Sequence, residues 1–389
     1  MRCLLIFPYN ERKIRMSLSL GYLAAVLEKE GHEVEIADFN KDPEDLVFEK
    51  IAKGRYALVG LTGLSTTYRE ITRLIKIFRS YPNCPSLVVG GPMISSQMEL
   101  MGKHLDADFL CYGEGEQTIL QLCEHLEGKR NIQDVKGVIV RTKDGLTHIN
   151  PPQPLVQNLD SIPMPAWHLF DMDLYKRQPP GSNWQYYASI IGSRGCPFKC
   201  TFCYRNFDGS FRLRSMDNVL SEISFLIDKY DIDHFLFSDE LFLGSKERIL
   251  EFGKQVKKRK LKFDFKVSLH VSCISKETVQ ALKDAGCVLV CVGVEHASDK
   301  MLKIMKKNAT KERNRKALKT LKDAGLPVSC STIFGMPGET TETMKETEDF
   351  YHDLQMAASI HIAQPLPGTW FYDYAVEKGH IKDEIEYLM

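Results

Sequence analysis

The chain has 389 residues, enough to bury two separate hydrophobic cores. Lysine plus arginine and aspartate plus glutamate number 51 each, so the formal net charge is zero, which argues against a general nucleic-acid or acidic-membrane partner. The 11 cysteines are odd in number and several, such as Cys111, Cys287, Cys291 and Cys330, stand in apolar contexts, which fits a reducing compartment rather than a disulfide scaffold.

The N-terminal run Cys3–Phe7 is too short for a signal peptide, and no stretch of about 18 apolar residues occurs anywhere, so a cytoplasmic location without a transmembrane segment is expected. Up to about residue 135, strand-like and helix-like segments alternate. Cys3–Phe7, Glu33–Ala37, Ala57–Leu61, Leu87–Val89 and Phe109–Tyr112 read as strands. Leu18–Glu30, Tyr68–Arg79 and Gln117–His125 read as helices, the first ending at Gly31. This rhythm predicts a doubly wound parallel sheet, whose ligands sit at the carboxyl ends of its strands. Those ends carry Thr62-Gly63-Leu64-Ser65-Thr66-Thr67, Gly90-Gly91-Pro92 and Gly113-Glu114-Gly115-Glu116. Glycine lets backbone approach a bulky ligand and hydroxyls offer short donors. No Gly-x-Gly-x-x-Gly follows the first strand, which counts against a dinucleotide.

From residue 136 to 186 the chain reads as a hairpin and a linker. Gly137–Arg141 and Leu146–Ile149 flank an Asp144-Gly145 turn, and Pro151, Pro152, Pro154, Pro163 and Pro165 follow. Prolines stiffen a connector into extended form. Trp167 is expected to be a packing anchor.

The densest chemical signal comes next. Cys196, Cys200 and Cys203 form a Cys-x-x-x-Cys-x-x-Cys pattern directly after the apolar run Tyr187–Ile191. Thiolates so close together can hold an iron–sulfur cluster, which usually takes four ligands. With three, one iron keeps an open position, the mark of a catalytic rather than a closed structural site. A zinc knuckle would need a second Cys-x-x-Cys arm or paired histidines, and neither is present.

With Phe202 just before the last cysteine, this pattern resembles the radical S-adenosylmethionine (SAM) superfamily. The resemblance implies a 4Fe–4S cluster on Cys196, Cys200 and Cys203, whose open iron chelates SAM and reduces its sulfonium to release a 5′-deoxyadenosyl radical.

Six strand-then-helix units fill residues 187–389, with strands at Tyr187–Gly192, His234–Ser238, Phe263–His270, Val288–Val294, Pro327–Phe334 and Ser359–Gln364. Such repeats suggest a parallel barrel with its chemistry at the strand C-terminal ends. By resemblance, Asp239 and Glu240 contact the SAM amino group, and Glu295 the ribose and methionyl portion. The family more often has Ser where His296 stands. Ile333, Gly335 and Gly338 match the family's Gly-x-Ile-x-Gly-x-x-Gly apart from Ser331, and Pro365 lies in the adenine-side loop. His270 and His296 are read as facing the mouth, for substrate or proton transfer or as satisfied structural groups. The basic runs Lys257–Lys260 and Lys306-Lys307 are read as solvated faces or helix-dipole complements.

The first half is similar to the cobalamin-binding domain that precedes many radical SAM domains. The match lies in Gly21–Leu27 with Gly31–Val34, in Val89–Pro92 and in Gly113–Glu116. It implies cobalamin near Thr62, Ser65, Thr66, Gly90, Gly91, Gly113, Glu114 and Gly115. No Asp-x-His occurs, so the implied corrinoid is base-off and His-off, with His32 and His104 read as surface residues. Where the family often has His after the paired glycines, this chain has Pro92, with Met93 one residue beyond. Asn158–Ala166 resembles the connector between the two domains, expected to hold one cofactor over the other.

The expected fold is therefore α/β: a doubly wound, Rossmann-like cobalamin-binding domain over 1–135, a hairpin and linker over 136–186, and a partial (β/α)6 radical SAM barrel over 187–389. The expected activity is cobalamin-dependent methyl transfer to an unactivated carbon of a small-molecule, lipid or natural-product substrate. The electron donor is expected to be external, such as flavodoxin or ferredoxin. Two alternatives stand beside it: a radical cyclisation, rearrangement or carbon–carbon coupling without methyl transfer, and a non-catalytic cluster- and corrinoid-binding protein. Relatives usually continue past the sixth unit; ending at Met389, this chain reads as minimal, as a fragment, or as dependent on a partner chain.

Overall fold

The computed structural model describes residues 1–8, 16–141, 147–176, 187–205, 207 and 209–389. They form two compact units. The first comprises Met1–Gln157, Ser161–Met172 and Ala375–Met389; the second comprises Asn158–Asp160 and Asp173–Tyr374.

The first unit is built on seven strands: β1 (Arg2–Phe7), β2 (Glu33–Asp38), β3 (Leu58–Thr62), β4 (Ser86–Gly90), β5 (Phe109–Cys111), β6 (Val138–Arg141) and β7 (Thr147–Ile149). They lie in the order β2-β1-β3-β4-β5-β6-β7. The first five are parallel, and β6 and β7 add antiparallel. Helices α1 (Leu18–Lys29), α2 (Glu44–Ala52), α3 (Tyr68–Arg79), α4 (Pro92–Ser96), α5 (Met98–His104) and α6 (Gly115–Leu126) fill the connections. Cys3–Ile6 of β1 is buried without interruption, as expected of a parallel strand covered on both faces. Strand order reverses between β1 and β3, the switch point beside which such sheets bind ligands. Gly31, at φ +80°, follows α1 and supplies the left-handed residue that ends it. The expected Asp144-Gly145 turn lies outside the described residues.

The proline-rich stretch is seated on α1. Gly21 approaches it so closely that an added Cβ would lie 3.0 Å from Pro165 and 3.1 Å from Phe170, and the Ala166 amide donates to the Gly21 carbonyl at 2.9 Å. Trp167, 2% exposed, is the packing anchor expected. Leu388, from the last helix, joins the core of this unit alongside Leu4, Ile6 and Phe78.

In the second unit, strands β8 (Ala188–Ile190), β11 (His234–Phe237), β12 (Asp264–Leu269), β13 (Cys287–Glu295), β14 (Val328–Phe334) and β15 (Ala358–Ile362) form one sheet in chain order. All its pairings are parallel, making an open, partial (β/α)6 barrel. A two-stranded ribbon, β9 (Ser193–Arg194) with β10 (Arg212–Leu213), follows β8. The helices are α7 (Met216–Tyr230), α8 (Lys246–Arg259), α9 (Lys276–Asp284), α10 (Asp299–Ile304), α11 (Lys311–Asp323), α12 (Thr341–Leu354), α13 (Trp370–Glu377) and α14 (Glu384–Leu388), the last lying in the first unit.

A hydroxyl opens five of these helices. Ser215, Ser245, Ser275, Thr310 and Thr340 each accept from the backbone N–H three residues on, satisfying a donor that the helix leaves orphaned. Lys257, Lys258 and Arg259 crowd the last turn of α8, where cations complement the dipole as expected. Phe237, Phe252 and Phe265 interlock edge to face between sheet and helices.

Candidate active site

The loop that carries the cysteines starts at a position only glycine can occupy. Gly195 has φ +87°, and an added Cβ would lie 1.8 Å from the Ser210 carbonyl oxygen. Beyond it, the Thr201 amide donates to the Met305 carbonyl at 3.0 Å and its hydroxyl to the Ile304 carbonyl at 3.3 Å. The Thr201 carbonyl accepts from the Phe371 amide at 3.2 Å. The loop is thereby tied to the end of α10 and the start of α13.

Phe202 and Ile333 enter one apolar cluster with Met301, Met305, Met336 and Phe371, so two of the expected cofactor-side residues share a wall. Phe198 stacks on His270 with ring centroids 4.1 Å apart. His270 also contacts the Ser272 hydroxyl at 2.7 Å and the Lys307 carbonyl at 3.2 Å, and burial lowers it to about 4. It is a neutral, satisfied structural group, one of the two roles its position allowed.

Desolvation by the surrounding loop raises all three cysteine thiols, Cys196 and Cys200 half-buried and Cys203 exposed at its surface. The charge of Cys196 reaches Cys200 and Cys203, that of Cys200 reaches Cys203, and Lys307 opposes the rise at each. Three thiols in one loop, close enough for the charge of one to reach the next, suit an iron–sulfur core that takes a thiolate on each of three irons. Among the described residues, no three His, Cys, Asp or Glu side chains converge as they would on a single ion. A cluster spreads its thiolates over separate irons, so convergence on one point is not required.

Lys307 is the residue that the sequence misdescribes. The Lys306-Lys307 pair reads as a solvated run, but the Lys307 side chain is 12% exposed and its ammonium lies 2.9 Å from Glu295 Oε1. Burial alone would lower it; the charges of Glu295 and Cys200 outweigh that and leave it raised. Glu295 stands at φ +63° after a register shift in β13, which turns its carboxylate back over Gly293. A Cβ on Gly293 would lie 2.1 Å from that carboxylate oxygen.

The acidic pair at the end of β11 divides. Asp239 is buried, accepts from the Gly192 amide at 3.0 Å and from the Ser193 hydroxyl, and so clamps the end of β8. Burial raises it to about 6. Exposed Glu240, by contrast, is the one whose charge reaches Cys196 and Cys203. On the next strands, Gly335 (φ +93°) donates its amide to Glu339 at 2.6 Å, and Gly338 (φ +86°) sits against Ile304. Pro365 follows the end of β15.

In the first unit, the loops after β3, β4 and β5 form one rim. The Gly63 amide donates to the Gly90 carbonyl at 3.0 Å, and Gly91 (φ +98°) crowds Gly63 and Thr62. Ser65 and Thr66 lie in a short 3-10 turn beyond them. The Gly113 amide donates to the Ser95 hydroxyl at 3.0 Å. Gly115 opens α6. Buried Glu114 accepts from the Val156 amide at 2.7 Å, so its carboxylate anchors the connector. Met93 is buried beneath Gly63 instead of standing on the rim.

The Radical SAM superfamily model matches residues 190–351, and the B12 binding domain model matches residues 16–122. An uncharacterized methyltransferase of Pyrococcus horikoshii is 32% identical over 391 residues, covering 97% of this chain and 83% of its own length. The chain belongs to the radical SAM superfamily. As a radical SAM enzyme with a B12-binding domain, it takes a 4Fe–4S cluster, SAM and cobalamin as cofactors.

Other relatives differ in the activity they are named for. Cytidylyl-2-hydroxyethylphosphonate methyltransferase of Streptomyces wedmorensis is 27% identical, covering 97% of this chain and 81% of its own. The anaerobic magnesium-protoporphyrin IX monomethyl ester cyclase of Rubrivivax gelatinosus is 29% identical, covering 86% and 61%. Among solved structures, the radical SAM methyltransferase TsrM from Kitasatospora setae, with cobalamin and a 4Fe-4S cluster bound, superposes with a TM-score of 0.80. It is 21% identical, over 97% of this chain and 75% of that one, which establishes the shared fold. Among the described residues no helix is long and apolar enough to cross a membrane.

Proposed function

We propose that this radical SAM enzyme transfers a methyl group to an unactivated carbon of a small polar molecule. The observation that carries the reading is the meeting of Cys196, Cys200 and Cys203 with Glu240 and the Glu295–Lys307 pair on one set of strand ends. Cys196, Cys200 and Cys203 would hold the cluster. Glu240, Glu295, Phe202, Ile333, Gly335, Gly338 and Pro365 would seat SAM, with Asp239 fixing the strand ends beneath. Thr62, Ser65, Thr66, Gly90, Gly91, Gly113 and Gly115 would line the corrinoid's rim, with Glu114 holding the connector beside it. When bound, the cluster supplies an electron to SAM, and the corrinoid carries the methyl group.

The inner face of the barrel supports a polar substrate. Ser268, Cys291 and Ser329 stand in register, and so do Gly293, Ser331 and Ser359. Barrel interiors are ordinarily filled by bulky branched side chains. These layers are too small to fill one, and Ser268, Ser329 and Ser359 are exposed. Lys266, in register with Leu289 one layer away, rests its ammonium 4.0 Å from the centre of the Tyr187 ring. Hydroxyls and an ammonium suit an oxygen-rich molecule better than a hydrocarbon lipid.

The test is anaerobic reconstitution with iron, sulfide and hydroxocobalamin, followed by an optical spectrum and product analysis with SAM and a reductant. S-adenosylhomocysteine together with 5′-deoxyadenosine is the expected outcome. Deoxyadenosine without S-adenosylhomocysteine would move the assignment to cyclisation or coupling, the reading that the 29% identical cyclase favours. An external donor such as flavodoxin or ferredoxin would supply electrons, in the cytoplasm.

A further inference from the structure

His296, directly after Glu295 at the end of β13, has a defined task in this chain. Its side chain is fully buried, 0% exposed, and both ring nitrogens are engaged. The Ser298 amide reaches Nδ1 at 2.9 Å, and the Thr347 hydroxyl lies 2.9 Å from the same atom. A backbone N–H can only donate, so Nδ1 is the acceptor and the ring proton resides on Nε2. Nε2 therefore donates to Glu339 Oε1, 3.1 Å away. The other oxygen of Glu339 accepts from the Gly335 amide at 2.6 Å. The ring is wedged edge-on against Phe334, which precedes Gly335, with centroids 5.7 Å apart. Gly335 itself holds φ +93°, so this turn is set by glycine geometry and by one carboxylate.

We propose that the His296–Glu339 pair is the positioning device that preforms the Gly335–Gly338 loop for SAM and locks it to the strand end bearing Glu295. This rests on the assignment of that loop to SAM given above. The chemistry is specific. The carboxylate needs two donors to stay buried without cost, and the imidazole supplies one while accepting from the Ser298 amide. His296 touches no reacting atom in this scheme; it acts through Glu339 on the Gly335 amide.

The experiment uses the cluster-loaded full chain and measures the dissociation constant for SAM by equilibrium dialysis, with iron content and a thermal melt recorded for each variant. His296→Gln places an amide N–H where Nε2 is and keeps the donor to Glu339. His296→Asn places an acceptor where Nδ1 is and loses that donor. His296→Asn should weaken SAM binding roughly tenfold, the loss expected of one hydrogen bond to a charged group, while His296→Gln stays near wild type. Iron content should not change in either. The inference is overturned if the two variants bind SAM alike, whether both tightly or both weakly, or if His296→Asn loses iron in step with SAM. If neither histidine variant folds, Glu339→Gln decides: its amide nitrogen cannot accept, so at unchanged iron content SAM must weaken by a similar factor, and wild-type affinity overturns the inference. Loaded wild-type protein that binds no SAM at all would instead sink the enzymatic reading on which this inference stands.

Discussion

The ammonium of Lys307 lies 2.9 Å from the Glu295 carboxylate, and both side chains are nearly closed to solvent, at 12% and 9% exposure. A buried ion pair adds little net stability over apolar residues of the same shape, but removing one partner strands the other. Lys307→Met should therefore destabilise the chain by about 3 kcal/mol, with Glu295→Gln milder because a neutral amide is left beside the cation. Urea denaturation of both variants checks this; equal stability of Lys307→Met and wild type would refute it.

Replacing one thiol tests the metal assignment directly. Cys200→Ala should abolish iron retention and SAM cleavage, while its melting temperature stays close to that of the unloaded wild type, since Cys200 is only half-buried. The measurement is iron per chain after anaerobic reconstitution. Zinc in place of iron in the wild type, or full SAM cleavage by Cys200→Ala, would contradict the assignment.

Gly195 offers a backbone test of the same loop. With φ +87° and 1.8 Å between an added Cβ and the Ser210 carbonyl oxygen, alanine cannot be accommodated without moving the loop. Gly195→Ala should lose cluster occupancy although every thiol is kept. Undiminished iron content would show that the loop tolerates the shift.

Asp239 gives a pH signature. Burial raises its carboxyl from 3.8 to about 6, so the folded state holds this proton more tightly than the unfolded chain does. Stability drawn from the protonated form is complete below about pH 4 and is lost as pH rises through about 6. Relative to Asp239→Asn, the wild type should gain stability as pH falls from 7 to 5. Parallel denaturant titrations at the two pH values read the difference; a constant gap would mean that the clamp does not titrate there.

Much of the architecture follows from local rules written in the chain. The Cys196–Cys203 spacing needs no tertiary information, because three thiols within one loop are neighbours whatever surrounds them. Strands such as Arg2–Phe7 and Leu58–Thr62 announce themselves as apolar runs, and the five hydroxyl caps mark helix starts, because an orphaned N–H must be met by the nearest side chain. What the linear order could not decide is which way a charge faces. Asp239 and Glu240 are adjacent and chemically alike, yet one clamps the end of β8 and the other addresses the thiols, because the partners of Asp239 are contributed by a strand 47 residues away in sequence. Lys306-Lys307 looks like any solvated pair. Left-handed backbone at Lys306 (φ +49°) and Asn308 (φ +54°) turns the chain there and carries Lys307 inward, where Glu295 from a different element makes its burial tolerable. Local sequence specifies elements and ligands at short range; pairing of buried charges is a property of packed strands, and only the assembled barrel settles it.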